Sequence, residues 1–182
     1  MRPAAGEYLH FSEDPTIDLF VPHVAATSAE KDPYVWAVDF DHAPSYWFPR
    51  QCPRGMAWVV PRTTPADRDR IIGAGSGERV HAIEYGWLEK MQTIKLYAYR
   101  MPAEVFRGIG DPNAPHAQVS TEPVRPLGPP EPVGNLLDCH AEAGIQLRLL
   151  DNLWSFWDEV ITSSVGFSGI RLRNAKPRRN AQ

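Results

Sequence analysis

Tyr8-Leu9-His10-Phe11-Ser12-Glu13 alternates bulky and polar side chains close to the N-terminus, and a period of two makes this stretch a strand. Alternation puts Tyr8, His10 and Ser12 on one face and Leu9 and Phe11 on the other. An imidazole sharing a face with two hydroxyls belongs either to a cleft wall or to a hydrogen-bonded structural position, and the second is the commoner fate of a lone strand histidine. From these six residues both readings stand.

Outward from the first strand, Ser12-Glu13-Asp14-Pro15 is turn chemistry, and Ile17, Leu19, Phe20 and Val21 form an apolar return that Pro22 stops. Thr27 to Pro33 reads as a polar loop. Tyr34-Val35-Trp36-Ala37-Val38 is rich in β-formers and makes a second strand, after which Asp41-His42-Ala43-Pro44 opens a short helix through Phe48. Met56–Val60 is a brief strand among prolines. Thr64–Arg70 is a capped helix start, closed by Gly73-Ala74-Gly75-Ser76-Gly77. That glycine patch follows a helix and precedes a strand, the reverse of a phosphate-binding loop, and reads as a turn.

Arg79–Glu84 and Ile94–Arg100 are further strands around a helical turn at Gly86–Met91, and His81 receives no role. Gly108–Pro115 is a loop of strong turn formers, and Gln118–Val124 is a short strand that Pro123 marks as an edge or an end. Pro126, Pro129, Pro130 and Pro132 make a rigid connector to a helix carrying Leu136, Leu137, His140 and Ala141. Ile145–Leu149 alternates as a strand. Asn152 to Ser164 is the clearest helix, with Leu153, Phe156, Trp157, Val160 and Ile161 in an apolar stripe. Short strands with two or three helices make the class α+β.

The chain has 182 residues, 43% of them hydrophobic and 23% charged, enough for a full core and without a run long enough to span a membrane. Met1–Gly6 lacks the apolar stretch of a secretory signal, so the cytoplasm is the expected location. Cys52 and Cys139 lack metal-ligand spacing, and no metal is expected. Net charge is −3, but five basic residues (Arg171, Arg173, Lys176, Arg178 and Arg179) lie in the last twelve, leaving 14 basic against 22 acidic side chains in residues 1–170. So acidic a body disfavours nucleic acid as a partner. Residues 176–182 read as a solvated basic tail, with local phosphate contact as the alternative.

The order of Tyr8-Leu9-His10, Val35-Trp36-Ala37-Val38 with Asp41-His42-Ala43, Lys95-Leu96-Tyr97-Ala98-Tyr99, Gly110-Asp111-Pro112-Asn113 and Ser120-Thr121-Glu122-Pro123-Val124 resembles the ADP-ribosyltransferase fold, and is most similar to the small rifamycin ADP-ribosyltransferases. The likeness covers roughly residues 7–128 and is interrupted around 50–90; the whole chain also resembles a family of uncharacterised bacterial proteins. The resemblance implies one domain over residues 7–175: a core at 7–128 made of two small antiparallel sheets enclosing a cleft, then a helix-strand-helix extension at 133–175. It implies NAD as a substrate whose nicotinamide–ribose bond is cleaved, with ADP-ribose passing to a small-molecule or protein acceptor. His10 would bond a ribose hydroxyl, Tyr34 or Trp36 would form an aromatic wall, Asp111 or Glu122 would supply a carboxylate, and Arg125 would meet the pyrophosphate. The family's second-strand aromatic is usually Tyr, and Trp36 stands there, able to stack but without a hydroxyl. A ligand- or partner-binding domain that kept the fold without the chemistry is the alternative.

Overall fold

A computed structural model describes residues 1–24, 32–75, 77–111 and 114–178, and among these the side chains of 111, 114 and 115 are left aside. Its strands are β1 (Glu7–Ser12), β2 (Val35–Ala37), β3 (Arg54–Trp58), β4 (Arg79–Glu84), β5 (Tyr97–Pro102), β6 (Arg107–Asp111), β7 (Ala114–Ser120), β8 (Glu131–Pro132), β9 (Ile145–Leu150) and β10 (Gly166–Ile170). The helices are α1 (Pro65–Asp67), continued by a wider π turn over Arg68–Ile72, then α2 (Leu88–Thr93), α3 (Leu136–Glu142) and α4 (Trp154–Ile161). The class is mixed α+β with small, mostly antiparallel sheets. The chain forms two units, Met1–Arg50 with Ile94–Gly134, and Gln51–Thr93 with Asn135–Gln182.

The first unit carries two three-stranded sheets, β1-β5-β8 and β2-β7-β6, both antiparallel. They are stitched where Leu9 and Val38 exchange backbone hydrogen bonds of 2.9 and 2.8 Å. Arg100 on β5 donates to Glu7 at 2.6 Å and to Glu131 at 2.5 and 3.2 Å, so one guanidinium clamps all three strands of its sheet. Its bonds hold both carboxyls below the usual carboxylate range. Apolar side chains divide by strand alternation: Val35 and Ala37 pack with Phe20, Tyr99, Met101 and Val124, whereas Tyr34 and Trp36 pack with Ile109, Ala117 and Val119.

The second unit is built on the sheet β10-β3-β4-β9, antiparallel except for the parallel pair β4/β9. Of the expected stripe of α4, Leu153, Phe156 and Val160 are buried against Ala57, Val80, Ala82 and the Ile71/Ile72 pair, whereas Trp157 is half-buried and Ile161 exposed. Glu84, 3% exposed, tethers this helix: its carboxylate accepts from the backbone N–H of Leu153 at 3.2 Å and of Lys176 at 3.1 Å.

Several stretches differ from what their composition predicts. Gly108–Pro115 is mostly two paired strands rather than a loop, because Arg107, Ile109, Ala117 and Val119 carry an alternation that the glycines and prolines hide. The ladder slips between Ile109 and Gly110, and Gly110 takes φ +102° there, a bulge that suits glycine. The strand expected at 118–124 ends at Ser120, and β8 and β10 are strands the sequence did not announce. At the C-terminus, Lys176–Arg178 are held: Trp154 Nε1 donates to the Lys176 carbonyl at 2.7 Å, Asn152 donates to that of Pro177 at 3.0 Å, and Arg178 reaches Asp158 at 2.6 Å over the Trp154 ring. Most of the loop expected at Thr27–Pro33 lies outside the described residues.

Candidate functional site

The edge of β2 facing β1 carries the candidate group of the first unit. Antiparallel alternation turns the backbone groups of residues 34, 36 and 38 to that edge. Tyr34 exchanges bonds of 3.1 Å with His23, and Val38 is paired with Leu9. Between these two bridges, four residues or roughly 13 Å of strand apart, β1 has parted from β2. The carbonyl of Trp36 takes no strand partner there and instead accepts from His10 Nδ1 at 2.7 Å. His10 thus fills a notch in a strand edge. Its ring lies against Phe20, centroids 4.6 Å apart, and Phe20 is itself fixed by a backbone bridge to Val124 and an edge contact with Tyr99 at 5.0 Å.

A carbonyl can only accept, so the Trp36 contact assigns the proton to Nδ1 of His10 and leaves Nε2 as an acceptor. Burial of the ring pushes the His10 pKa down to about 4 against the smaller opposing effect of the Trp36 bond, with the charges of Arg50 and His23 lowering it further. At neutral pH it is an uncharged imidazole of fixed tautomer, suited to accept from a hydroxyl.

The remaining sequence candidates are placed less tightly. Trp36 meets His10 only through its backbone; its indole and the Tyr34 ring, edge-on to each other at 5.9 Å, point to the opposite face of β2. The aromatic that touches His10 is Phe20, which the sequence offered only as part of an apolar return. Trp36 Nε1 is buried without a hydrogen-bond partner among the described residues. Tyr34 OH accepts from Arg107 at 3.3 Å and donates to Asp32 at 3.3 Å. Glu122 is exposed just beyond β7, its backbone N–H capped by Ser120 Oγ at 3.2 Å. Arg125 is exposed beside Asp18, with its guanidinium 3.8 Å from that carboxylate. Asp111 ends β6 opposite Ala114, and its side chain lies outside the described residues, as do Pro112 and Asn113.

In the second unit the structure assembles a group that the sequence left scattered. Arg79 Nε donates to His81 Nε2 at 2.8 Å, His81 Nδ1 meets His140 Nε2 at 3.0 Å, and His140 Nδ1 donates to the Leu136 carbonyl at 2.7 Å. Read from the carbonyl upward, every proton in the chain is assigned and both imidazoles are neutral. Burial pushes His140 down to about 4 and His81 well below its ordinary value, and Arg79 and Arg54 act in the same direction. The ring nitrogens are fully engaged in holding α3 to β4, which makes the pair structural. Among the described residues no three His, Cys, Asp or Glu side chains converge as metal ligands.

Comparison with curated proteins and with solved structures finds no match. Residues 9–175, from β1 through the segment after β10, match the model of a family of unknown function, DUF6886, and the chain belongs to that family.

Proposed function

We propose that the first unit binds NAD at the β2 notch and cleaves its nicotinamide–ribose bond, passing ADP-ribose to a small-molecule or protein acceptor. What carries this reading is His10: an uncharged imidazole, locked in one tautomer by the Trp36 carbonyl, with Nε2 left to accept a ribose hydroxyl. It sits where two small antiparallel sheets meet and part, in keeping with the resemblance stated from the sequence. In the reaction the C–N bond breaks with its electron pair leaving on nicotinamide. The ribose carbon becomes oxocarbenium-like, and the acceptor's nucleophile bonds to it and releases its proton to a base. Immobilising the ribose and setting a negative charge nearby lower that barrier. His10 serves the first need, and Glu122 or Asp111 the second. The acidic body favours an acceptor other than nucleic acid.

The test is calorimetric titration with NAD followed by nicotinamide release, for wild type and for His10→Ala, Asp111→Ala and Glu122→Ala. Binding with release that His10→Ala and one carboxylate variant abolish is the expected result; no binding at millimolar NAD refutes the proposal. The exposure of Glu122 favours a second reading, a ligand- or partner-binding domain without turnover, which predicts binding with no release from any variant.

A further inference from the structure

The notch at Trp36 has charged surroundings that the proposed chemistry has not used. His23 is held to it by backbone: its bridge to Tyr34 sets it two residues, or roughly 7 Å of strand, from the carbonyl that His10 occupies. Arg50 is tied to the end of β1 by its N–H, which donates to Glu13 Oε1 at 2.7 Å, and Glu13 directly follows β1, three residues on from His10. Both side chains are exposed, and both act electrostatically on the His10 ring. Arg50 has no carboxylate against its guanidinium among the described residues, in contrast to Arg100 on its two glutamates and Arg125 on Asp18. One further donor lies close by: Trp36 turns its backbone N–H to the same edge as its carbonyl.

A neutral imidazole with a guanidinium side chain on one neighbouring segment and a second imidazole on another is a poor place for a cation and a good one for an anion that also carries hydroxyls. We propose that Arg50 and His23 form the subsite at this notch that takes the phosphate groups of a dinucleotide whose ribose His10 bonds. This inference rests on the NAD reading for its ligand and sets Arg50 beside the sequence-based choice of Arg125, whose guanidinium lies 3.8 Å from the Asp18 carboxylate. Arg50 presents a planar fork that matches phosphate oxygens in pairs, and His23 adds a single donor.

The experiment titrates three probes, NAD, inorganic pyrophosphate and nicotinamide riboside, into wild type, Arg50→Gln, His23→Gln and Arg125→Gln, with thermal unfolding run on each to confirm the fold. Loss of a charge-assisted pair costs about tenfold or more in affinity. The expected result is that Arg50→Gln weakens NAD and pyrophosphate by about that factor, that His23→Gln weakens them less, and that nicotinamide riboside is bound alike by wild type and Arg50→Gln. NAD bound equally by wild type and Arg50→Gln overturns the subsite and leaves the proposed function standing. Pyrophosphate bound through Arg50 without any binding of NAD or nicotinamide riboside overturns the proposed function and leaves an anion site. Loss in Arg125→Gln in place of Arg50→Gln overturns the assignment, and wild type that binds none of the probes overturns both.

Discussion

Acidification should loosen the second unit through His81 and His140, in a pH window that carboxylates leave quiet. Unfolded, each imidazole takes up its proton near its ordinary value of about 6.5. Folded, His140 resists protonation down to about 4, because burial comes first and the nearby Arg79 and Arg54 charges add to it. Between those values the unfolded chain binds more protons than the folded one, so stability is full above about 6.5 and falls as the pH drops. Each depressed histidine costs about 1.4 kcal/mol per pH unit in that window, so His140 alone removes about 3 kcal/mol by the time it protonates in the fold. His81 acts in the same direction. His10 contributes a smaller share, since that residue keeps part of its surface in water. Against a typical stability of about 5–15 kcal/mol this is a large fraction. The assay is the urea midpoint from about pH 7.5 to 4.5 for wild type and His140→Gln. Glutamine can still accept from His81 but cannot titrate, so the loss between pH 7 and 5 should shrink by about 2 kcal/mol in the variant. A midpoint constant from pH 7 to 5, or the same slope in both proteins, would refute the hydrogen-bond chain as drawn.

Other consequences are simpler to measure. Arg100→Met leaves Glu7 and Glu131 without their shared partner and should lower stability by about 1–2 kcal/mol in denaturant titration, an effect that shrinks at high salt. A Cβ at Gly77 would collide with the backbone carbonyl oxygen of Gly144, which cannot rotate away, so Gly77→Ala should cost about 1–3 kcal/mol, whereas at Gly55 the added carbon meets the Phe156 ring at 3.3 Å and the Trp157 ring at 3.5 Å and should cost less. Phe156→Ala empties the centre of the contact between α4 and its sheet and should cost about 3–5 kcal/mol. Burial pushes the Cys52 thiol up to about 12, so thiol reagents at neutral pH should label it only on unfolding.

Much of the fold was legible wherever a period could be counted. β1, β4 and β9 lie within a residue of their expected positions and α4 lies inside its expected span, two residues shorter at one end and three at the other, since each carries an apolar spacing that records its buried face. The hairpin of β6 and β7 was hidden because two glycines and two prolines outweighed four alternating residues, and pairing across a ladder is not a local property. β8, two residues long beside a proline, and β10, with two glycines in five positions, carry almost no propensity; they are strands because Tyr97–Ala98 and β3 offer them unfilled edges.

The site divides in the same way. The sequence by itself singled out His10 as a candidate and placed it on its strand, on a face shared with Tyr8 and Ser12, because alternation along one strand is written in neighbouring residues. Only the tertiary structure decided that His10 bonds the backbone of Trp36 rather than facing its ring, that Phe20 is the aromatic beside it, and that Arg50 and His23 stand around the notch. It alone joined His81 to His140 across 59 positions of chain. These are contacts between segments remote in sequence, set by sheet register and by where β1 leaves β2. A polar side chain does not announce its distant partner, since one imidazole pattern serves equally for a ligand, a strut or a solvated surface.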